Sequence, residues 1–174
     1  MEIRDLFQGS FLNAVDAKGR VSLPSQFRAK IAARTRKAVL AGDEAEDQKL
    51  MVGSHERFPA LEAYDVAFST EMLNRIKARV DALPDDVDKY QAFEDMQLDS
   101  FGATNEISFD EAGRMVLPAS VRDAAGIDGF AFFVGAGSTI QIWDPKRFLE
   151  TRSAESPRVA DALRSILKDK KITL

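Results

Sequence analysis

The residues of this chain best equipped for chemistry come as a repeated set of charges. Asp16-Ala-Lys-Gly-Arg-Val-Ser-Leu-Pro-Ser-Gln-Phe-Arg28 returns as Asp110-Glu-Ala-Gly-Arg-Met-Val-Leu-Pro-Ala-Ser-Val-Arg122, two copies of D-x-x-G-R-h-x-L-P-x-x-h-R in which h is apolar. A carboxylate placed four residues before a guanidinium, with a glycine between, is a device for orienting an arginine. Asp16 and Asp110 can accept hydrogen bonds from turn amides, Gly19 and Gly113 can take positive φ, and Arg20 and Arg114 then open the returning strand. Each carboxylate can pair with the arginine of its own copy or of the other. Guanidiniums held this way suit a phosphate, a base edge or a partner carboxylate, and the same pairs also serve simply to hold the turns.

A two-stranded ribbon fits a major groove, where arginine pairs bidentately with guanine. Lys18 beside Arg20 gives the first turn a reading element, and Arg4, Arg28, Lys30, Arg34, Arg36 and Lys37 lie close in sequence as phosphate clamps. The second turn, Glu111-Ala112-Gly113, is less basic, so the first half should contribute more of any charge offered to nucleic acid. A net charge of -4 weighs mildly against such a partner, yet residues 1–40 hold eight Lys/Arg against three Asp/Glu. Residues 85–111 hold one Lys against nine acidic residues. Phosphate attraction follows the local field more than the total, although ordinary solvated surface explains such runs equally well.

Catalytic chemistry has little to stand on. His55 is the single histidine, flanked by Glu56 and Arg57, and reads as a surface residue. Ser10, Ser22, Ser25 and Ser120 have no base at a recognisable spacing. The acidic Asp85-Asp86 and Asp88 lack a calcium-loop pattern and suit solvent or a helix start. Gly135-Ala-Gly137 lacks a dinucleotide fingerprint and a Walker lysine and reads as a hairpin turn, while Trp143 reads as a core or subunit-interface aromatic. We therefore expect no enzyme, no cofactor, no metal and no small-molecule substrate.

The elements that must position the repeated charges follow from periodicity. Phe11 to Val15 is extended, Ala17-Lys-Gly19 turns, Arg20 to Leu23 alternates as a strand, and Pro24 starts a helix over roughly Ser25 to Arg34. Glu106 to Phe109, Glu111-Ala-Gly113, Arg114 to Leu117 and Pro118 to Ala125 repeat the sequence of events. Further strands are expected at Ala38-Val-Leu40, Lys49 to Val52, Phe130 to Val134 and Ser138 to Trp143. From the last motif arginine to a Val-Gly pair there are 24 residues in the first half (Arg28 to Val52) and 12 in the second (Arg122 to Val134). The extra length includes the hydrophilic Ala41 to Gln48, a surface excursion.

Between the halves, Ala60 to Tyr64, Thr70 to Leu83 and Asp86 to Leu98 read as helices broken at Pro84. Met72, Leu73, Ile76 and Val80 make an apolar stripe; Tyr90, Phe93 and Met96 make another, to cover the sheet or a neighbouring subunit. Asp144 to Phe148 starts a short helix, Val159, Leu163, Ile166 and Leu167 mark a last amphipathic one, and residues 168–174 fray or form a basic tail. Expected units are 1–84, a first repeat with covering helices; 85–151, a second repeat; and 152–174, a C-terminal helix and tail. Each repeat alone would bury too little apolar surface to be robust, so fusion, oligomerisation or both should follow. The chain has no cysteine, which excludes disulfides, and the start Met1 to Leu6 lacks a signal-peptide pattern. With no apolar run near the roughly 18 residues of a membrane span, the cytoplasm is expected and a membrane partner is not.

Phe7-Gln-Gly9, Val15 to Arg28, Asp110 to Arg122, Ala125-Gly-Ile127, Val134-Gly135 and Ile142-Trp143 together resemble the MraZ family, bacterial transcriptional regulators of the division and cell wall gene cluster. The resemblance spans roughly residues 5–150. It implies an α+β fold: a small mixed β-barrel of pseudo-twofold repeated AbrB-like, swapped-hairpin units with flanking helices. It implies a homo-oligomeric ring of eight or more subunits that binds double-stranded DNA at closely spaced G-rich direct repeats, usually as a repressor, in the cytoplasm and on the nucleoid.

The family's D-x-x-x-R residues carry over to Asp16, Arg20, Asp110 and Arg114, with Lys18 in the first DNA-facing turn. The expected DNA contacts are then Lys18, Arg20, Arg28, Arg34 and Arg114, organised by Asp16, Gly19, Asp110 and Gly113. This chain departs from the family in having Asn13 where histidine is frequent, Gln141 where glutamate is frequent, and a longer acidic insertion around Asp43 to Asp47. These departures predict altered detail, changed subunit contacts, and either a changed ring size or reduced nonspecific DNA affinity. The competing expectation is a structural or protein-interaction ring without DNA affinity, or an antitoxin-like partner of another protein.

Overall fold

The apolar positions of the two motif copies fall on matching sites in one core, and that fixes how the chain folds. Val21 and Met115, Leu23 and Leu117, Phe27 and Val121, and Ile31 and Ala125 are all buried in the same cluster. The computed structural model describes residues 5–174, so Arg4 lies outside the described residues. In chain order the elements are β1 (Ser10–Ala14), β2 (Arg20–Ser22), α1 (Ser25–Leu40), β3 (Lys49–Ser54), β4 (Leu61–Asp65), α2 (Ser69–Asp81) and α3 (Lys89–Gly102). They continue as β5 (Asn105–Ser108), β6 (Arg114–Val116), α4 (Ala119–Ala125), β7 (Phe130–Gly135), β8 (Ile140–Trp143), α5 (Pro145–Arg152) and α6 (Pro157–Asp169).

Six strands form one antiparallel sheet in the order β1-β7-β8-β4-β3-β5, and β2 pairs with β6 in a separate two-stranded ribbon. Strands from the two halves of the sequence interleave in the larger sheet, where the hairpin β7–β8 lies between β1 and β4 and the hairpin β3–β4 lies between β8 and β5. β1 joins β7, β4 joins β8, and β3 joins β5, so its ladder bonds knit the halves together. The expected small closed barrel is corrected: the ladder runs from β1 to β5 without a pairing between those ends among the described residues. At each end the chain turns at Asp16 or Asp110 into β2 or β6, and these three-residue strands spend their ladder bonds on each other.

Two local expectations are also corrected. Ala38-Val-Leu40 is the last turn of α1, which runs on to Leu40 and ends against Ala41 and Gly42, the latter at φ +94°. Ala60 to Tyr64 carries helix-forming residues, yet Leu61–Asp65 is a strand. It lies hydrogen-bonded between β3 and β8, and every residue in it except Glu62 is buried. Tertiary pairing overrides local propensity there.

Pro24 and Pro118 sit one residue before α1 and α4. Ala41 to Gln48 is an almost wholly exposed excursion. α2 buries Ile76 and Val80, but α3 buries nothing and packs on α2 rather than on the sheet. Asp88 caps α3 by accepting from Tyr90 N and Gln91 N, each at 3.1 Å. α5 and α6 close a second apolar cluster around Leu12, Phe132, Trp143, Phe148, Leu163 and Leu167. Trp143 is fully buried there, and Gly135 to Gly137 does turn the hairpin between β7 and β8. No helix among the described residues is long and apolar enough to cross a membrane.

Candidate nucleic-acid interface

The two D-x-x-G-R segments fold into the same turn. Asp16 Oδ1 accepts from Lys18 N at 3.0 Å and Arg20 N at 2.9 Å, and Asp110 Oδ1 accepts from Ala112 N at 3.0 Å and Arg114 N at 2.9 Å. The second oxygen of each takes the Nε of its own arginine, at 2.6 Å for Arg20 and 2.7 Å for Arg114. Each carboxylate therefore pairs within its own copy. Hydrogen bonds from the arginine's backbone amide, then from its side chain, hold both aspartates below the usual carboxylate range. Because only Nε is engaged, the Nη edge of each guanidinium has no partner among the described residues. That edge is the one that pairs end-on with two acceptors.

Both turns are locked by the other copy. Gly19 and Gly113 adopt φ +80°, and a Cβ on Gly19 would strike Leu117 O and lie 2.8 Å from Arg122 Nε. A Cβ on Gly113 would strike Arg28 Nη1 and lie 2.7 Å from Leu23 O. Leu117 N donates to Gly19 O at 2.9 Å, and Leu23 N donates to Gly113 O at 2.8 Å. Arg28 Nη1 in turn donates to Leu23 O at 2.6 Å, and Arg122 Nε donates to Leu117 O at 3.1 Å. The last motif arginines thus brace the ribbon from below, and Asn13 Nδ2 adds a bond to Ser22 O at 2.5 Å.

The ribbon has two faces because side chains alternate along a strand. Val21 opposite Met115 points into the core; Arg20 opposite Val116 and Ser22 opposite Arg114 point outward. The side chains of Arg20 and Arg114 are 65% and 75% exposed, which makes them the reach of the ribbon. An open groove of about 630 Å³ runs beside them, with Ala14, Ser22, Glu106, Ser108, Val116 and Pro118 on its walls. The first turn carries two cations, Lys18 and Arg20, against Asp16, whereas the second carries Arg114 against Asp110 and Glu111.

The structure therefore gathers Lys18, Arg20, Arg114 and their organisers Asp16, Gly19, Asp110 and Gly113 around one ribbon. Arg28 lies under it, partly buried. Arg34 does not belong to it, which corrects the expectation of a phosphate clamp. Arg34 is 6% exposed, with Nη2 2.8 Å from Oδ1 of the fully buried Asp65 and Nη1 donating to Ser138 O at 3.1 Å. Its guanidinium also covers the rings of Phe7 and Phe68 at 4.8 and 5.2 Å. It shares a helix face with Phe27 and Ile31, and that spacing was the available signal. Sequence reasoning did not single out Ser22 and Val116; alternation with buried Val21 and Met115 was the signal for their outward face, and the register of β2 on β6 adds which arginine each one lies opposite.

His55 is half-buried rather than a surface residue. Its Nδ1 accepts from Arg57 N at 3.1 Å, its ring stacks on Phe58 at 4.7 Å, and burial lowers its pKa. Among the described residues no group of three or more His, Cys, Asp or Glu could hold a metal.

A family model described as "MraZ protein, putative antitoxin-like" matches residues 100–169, which include the second motif copy. A protein of Ruegeria sp. strain TM1040 named transcriptional regulator MraZ is 32% identical over 157 residues, covering 90% of this chain and 88% of that protein. Proteins of the same name from Parvibaculum lavamentivorans and Rickettsia rickettsii are 30% and 27% identical over 168 and 170 residues. They match 97% and 98% of this chain, and 93% and 97% of their own lengths.

Proposed function

Because this chain belongs to the MraZ family of transcriptional regulators, a non-enzymatic family, we propose that it binds double-stranded DNA sequence-specifically and represses the division and cell wall gene cluster. The observation that carries the reading is the outward face of the β2–β6 ribbon. It presents two guanidiniums, each fixed at Nε by its own aspartate and open at the Nη edge. Arg20 and Arg114 are the base-reading pair, able to bridge the O6 and N7 acceptors of guanine, and Lys18 is a phosphate contact beside them. Arg28 braces the ribbon and adds positive field rather than a direct clamp.

In this reading the two motif copies are pseudo-twofold AbrB-like, swapped-hairpin units supplied by one chain, as the crossed Leu–Gly bonds favour. Residues 1–84, with their covering helices, and 85–151 are those units, and 152–174 is a C-terminal helix and tail. One ribbon offers few contacts, so a homo-oligomeric ring of eight or more subunits arrays several at fixed spacing on G-rich direct repeats, raising avidity without new chemistry. The protein acts in the cytoplasm, on the nucleoid.

The test is footprinting of the region upstream of the chain's own gene at increasing salt. Protection of closely spaced repeats, with affinity falling linearly in log salt, supports the reading; protection indifferent to sequence or to salt contradicts it. A protein-interaction ring or antitoxin-like partner is the second reading, favoured by Tyr90 and Leu98, which lie 73% and 74% exposed on acidic α3. A stable heterocomplex without DNA affinity would select it.

A further inference from the structure

The outward face of the ribbon is nearly, but not fully, symmetric. Exchanging β2 and β6 about the central Val21–Met115 pair swaps Arg20 with Arg114, and it swaps Ser22 with Val116. The arginines match and the second pair does not. Val116 is 50% exposed, an apolar β-branched side chain directly opposite Arg20 and two residues from Arg114. Cross-strand neighbours stand about 4.5–5.5 Å apart at Cβ, so it flanks Arg20 across the ladder and Arg114 along its own strand. No other large apolar side chain of the two motif copies is exposed, because Val21, Met115, Leu23 and Leu117 all point into the core.

An exposed valine beside two arginines costs solvation in the free protein and has one natural counterpart on a base edge. The thymine 5-methyl group is the apolar feature of the major groove, and guanine lies within reach of a flanking arginine. Resting on the DNA-binding reading above, we propose that Val116 is a specificity residue that contacts a thymine methyl beside an arginine-read guanine, whereas the equivalent Ser22 does not. The turns differ in the same sense. Lys18 corresponds to Ala112, and Ala17 corresponds to Glu111, whose carboxylate disfavours close approach to phosphate on the second side. The ribbon is therefore polar in its chemistry as well as its sequence. It binds a non-palindromic step in one orientation, as tandem copies of a direct repeat require.

The test is anisotropy on the natural upstream duplex in which thymines are replaced one at a time by deoxyuridine, which removes only the methyl group. Wild type should lose about fourfold in affinity at one position per repeat, the change one buried methyl group gives. V116A should bind the natural duplex more weakly by a similar factor and be indifferent to uracil there, while S22A keeps the wild-type uracil response. V116S, which makes the outward face symmetric, should narrow the preference between the natural repeat and its inverted orientation. Circular dichroism and oligomer mass of each variant must match wild type, as expected for a side chain half open to solvent. Specific binding by wild type with no uracil-sensitive position, or a uracil effect that persists in V116A, overturns the proposal alone. Absence of specific binding by wild type overturns the DNA-binding reading itself.

Discussion

Replacing Arg34 with alanine should unfold the protein at a lower temperature without touching the outward face of the β2–β6 ribbon. The guanidinium sits 2.8 Å from Asp65, which is wholly buried and has no other ion-pair partner among the described residues. Burial pushes the Asp65 pKa up to about 6, even against the attraction of Arg34. Removing one member of a buried pair leaves the other charge without compensation, a cost of about 3–5 kcal/mol. The lost cover over Phe7 and Phe68 acts in the same direction. For a chain of this size that corresponds to a fall in Tm of roughly 6–20 °C, measured by differential scanning calorimetry at pH 7.5.

The pH dependence supplies a second readout. Since the folded pKa of Asp65 lies above its usual value of 3.8, the native state holds a proton between about pH 3.8 and 6 that the unfolded chain has released. The group's contribution to stability therefore falls as pH rises through that window. Without Arg34 the carboxyl keeps its proton to still higher pH, so the variant's deficit should be largest above pH 7 and narrow near pH 5, where both proteins carry neutral Asp65. A Tm within about 2 °C of wild type at pH 7.5 would refute the assignment of Arg34 to a buried pair, as would a deficit that does not narrow on acidification.

Other consequences are equally open to measurement. Lys18→Ala should weaken binding to natural and scrambled duplexes alike and reduce the log–log salt slope by about one, whereas Glu111→Ala should strengthen both, read by anisotropy between low and moderate salt. Gly113→Ala forces an L side chain into φ +80° against Leu23 O and Arg28, so it should cost at least about 1–3 kcal/mol in urea unfolding. Asp16 and Asp110 have folded pKa values below 3.8, so the stability they contribute is present above that value and lost as pH falls through the folded pKa. Carboxyl NMR titration should place both midpoints below 3.8, and Arg20→Ala should return Asp16 toward it.

The repeated motif was legible because its chemistry is local. Asp16 to Arg20 and Asp110 to Arg114 fix their own turns within five residues, and the strand-turn-strand-helix order follows from alternation and proline placement. What escaped depends on distant partners. Leu61–Asp65 has helix-forming residues and becomes a strand because β3 and β8 bond it from both sides. Ala38 to Leu40 looks extended in isolation, yet nothing before Ala41 and Gly42 stops the helix that precedes it.

Arg34 was counted with the surface cations because of its type, although its spacing from Phe27 and Ile31 placed it inward. Alternation alone puts Ser22 and Val116 on the outward face, but that Val116 lies opposite Arg20 and Ser22 opposite Arg114 depends on the pairing of β2 with β6, two strands distant in sequence.

The central claim is that Arg20, held by Asp16, reads DNA. Fluorescence anisotropy should compare wild type and Arg20→Ala on the natural upstream duplex and on a repeat-scrambled one, with oligomer mass and Tm checked for each protein. The account predicts strong preference for the natural duplex in wild type and its collapse in the variant at unchanged mass and a Tm lowered by no more than about 4 °C, the cost of one exposed ion pair. Equal binding of the natural duplex by both proteins would contradict it and leave Asp16–Arg20 as a pair that only holds the turn.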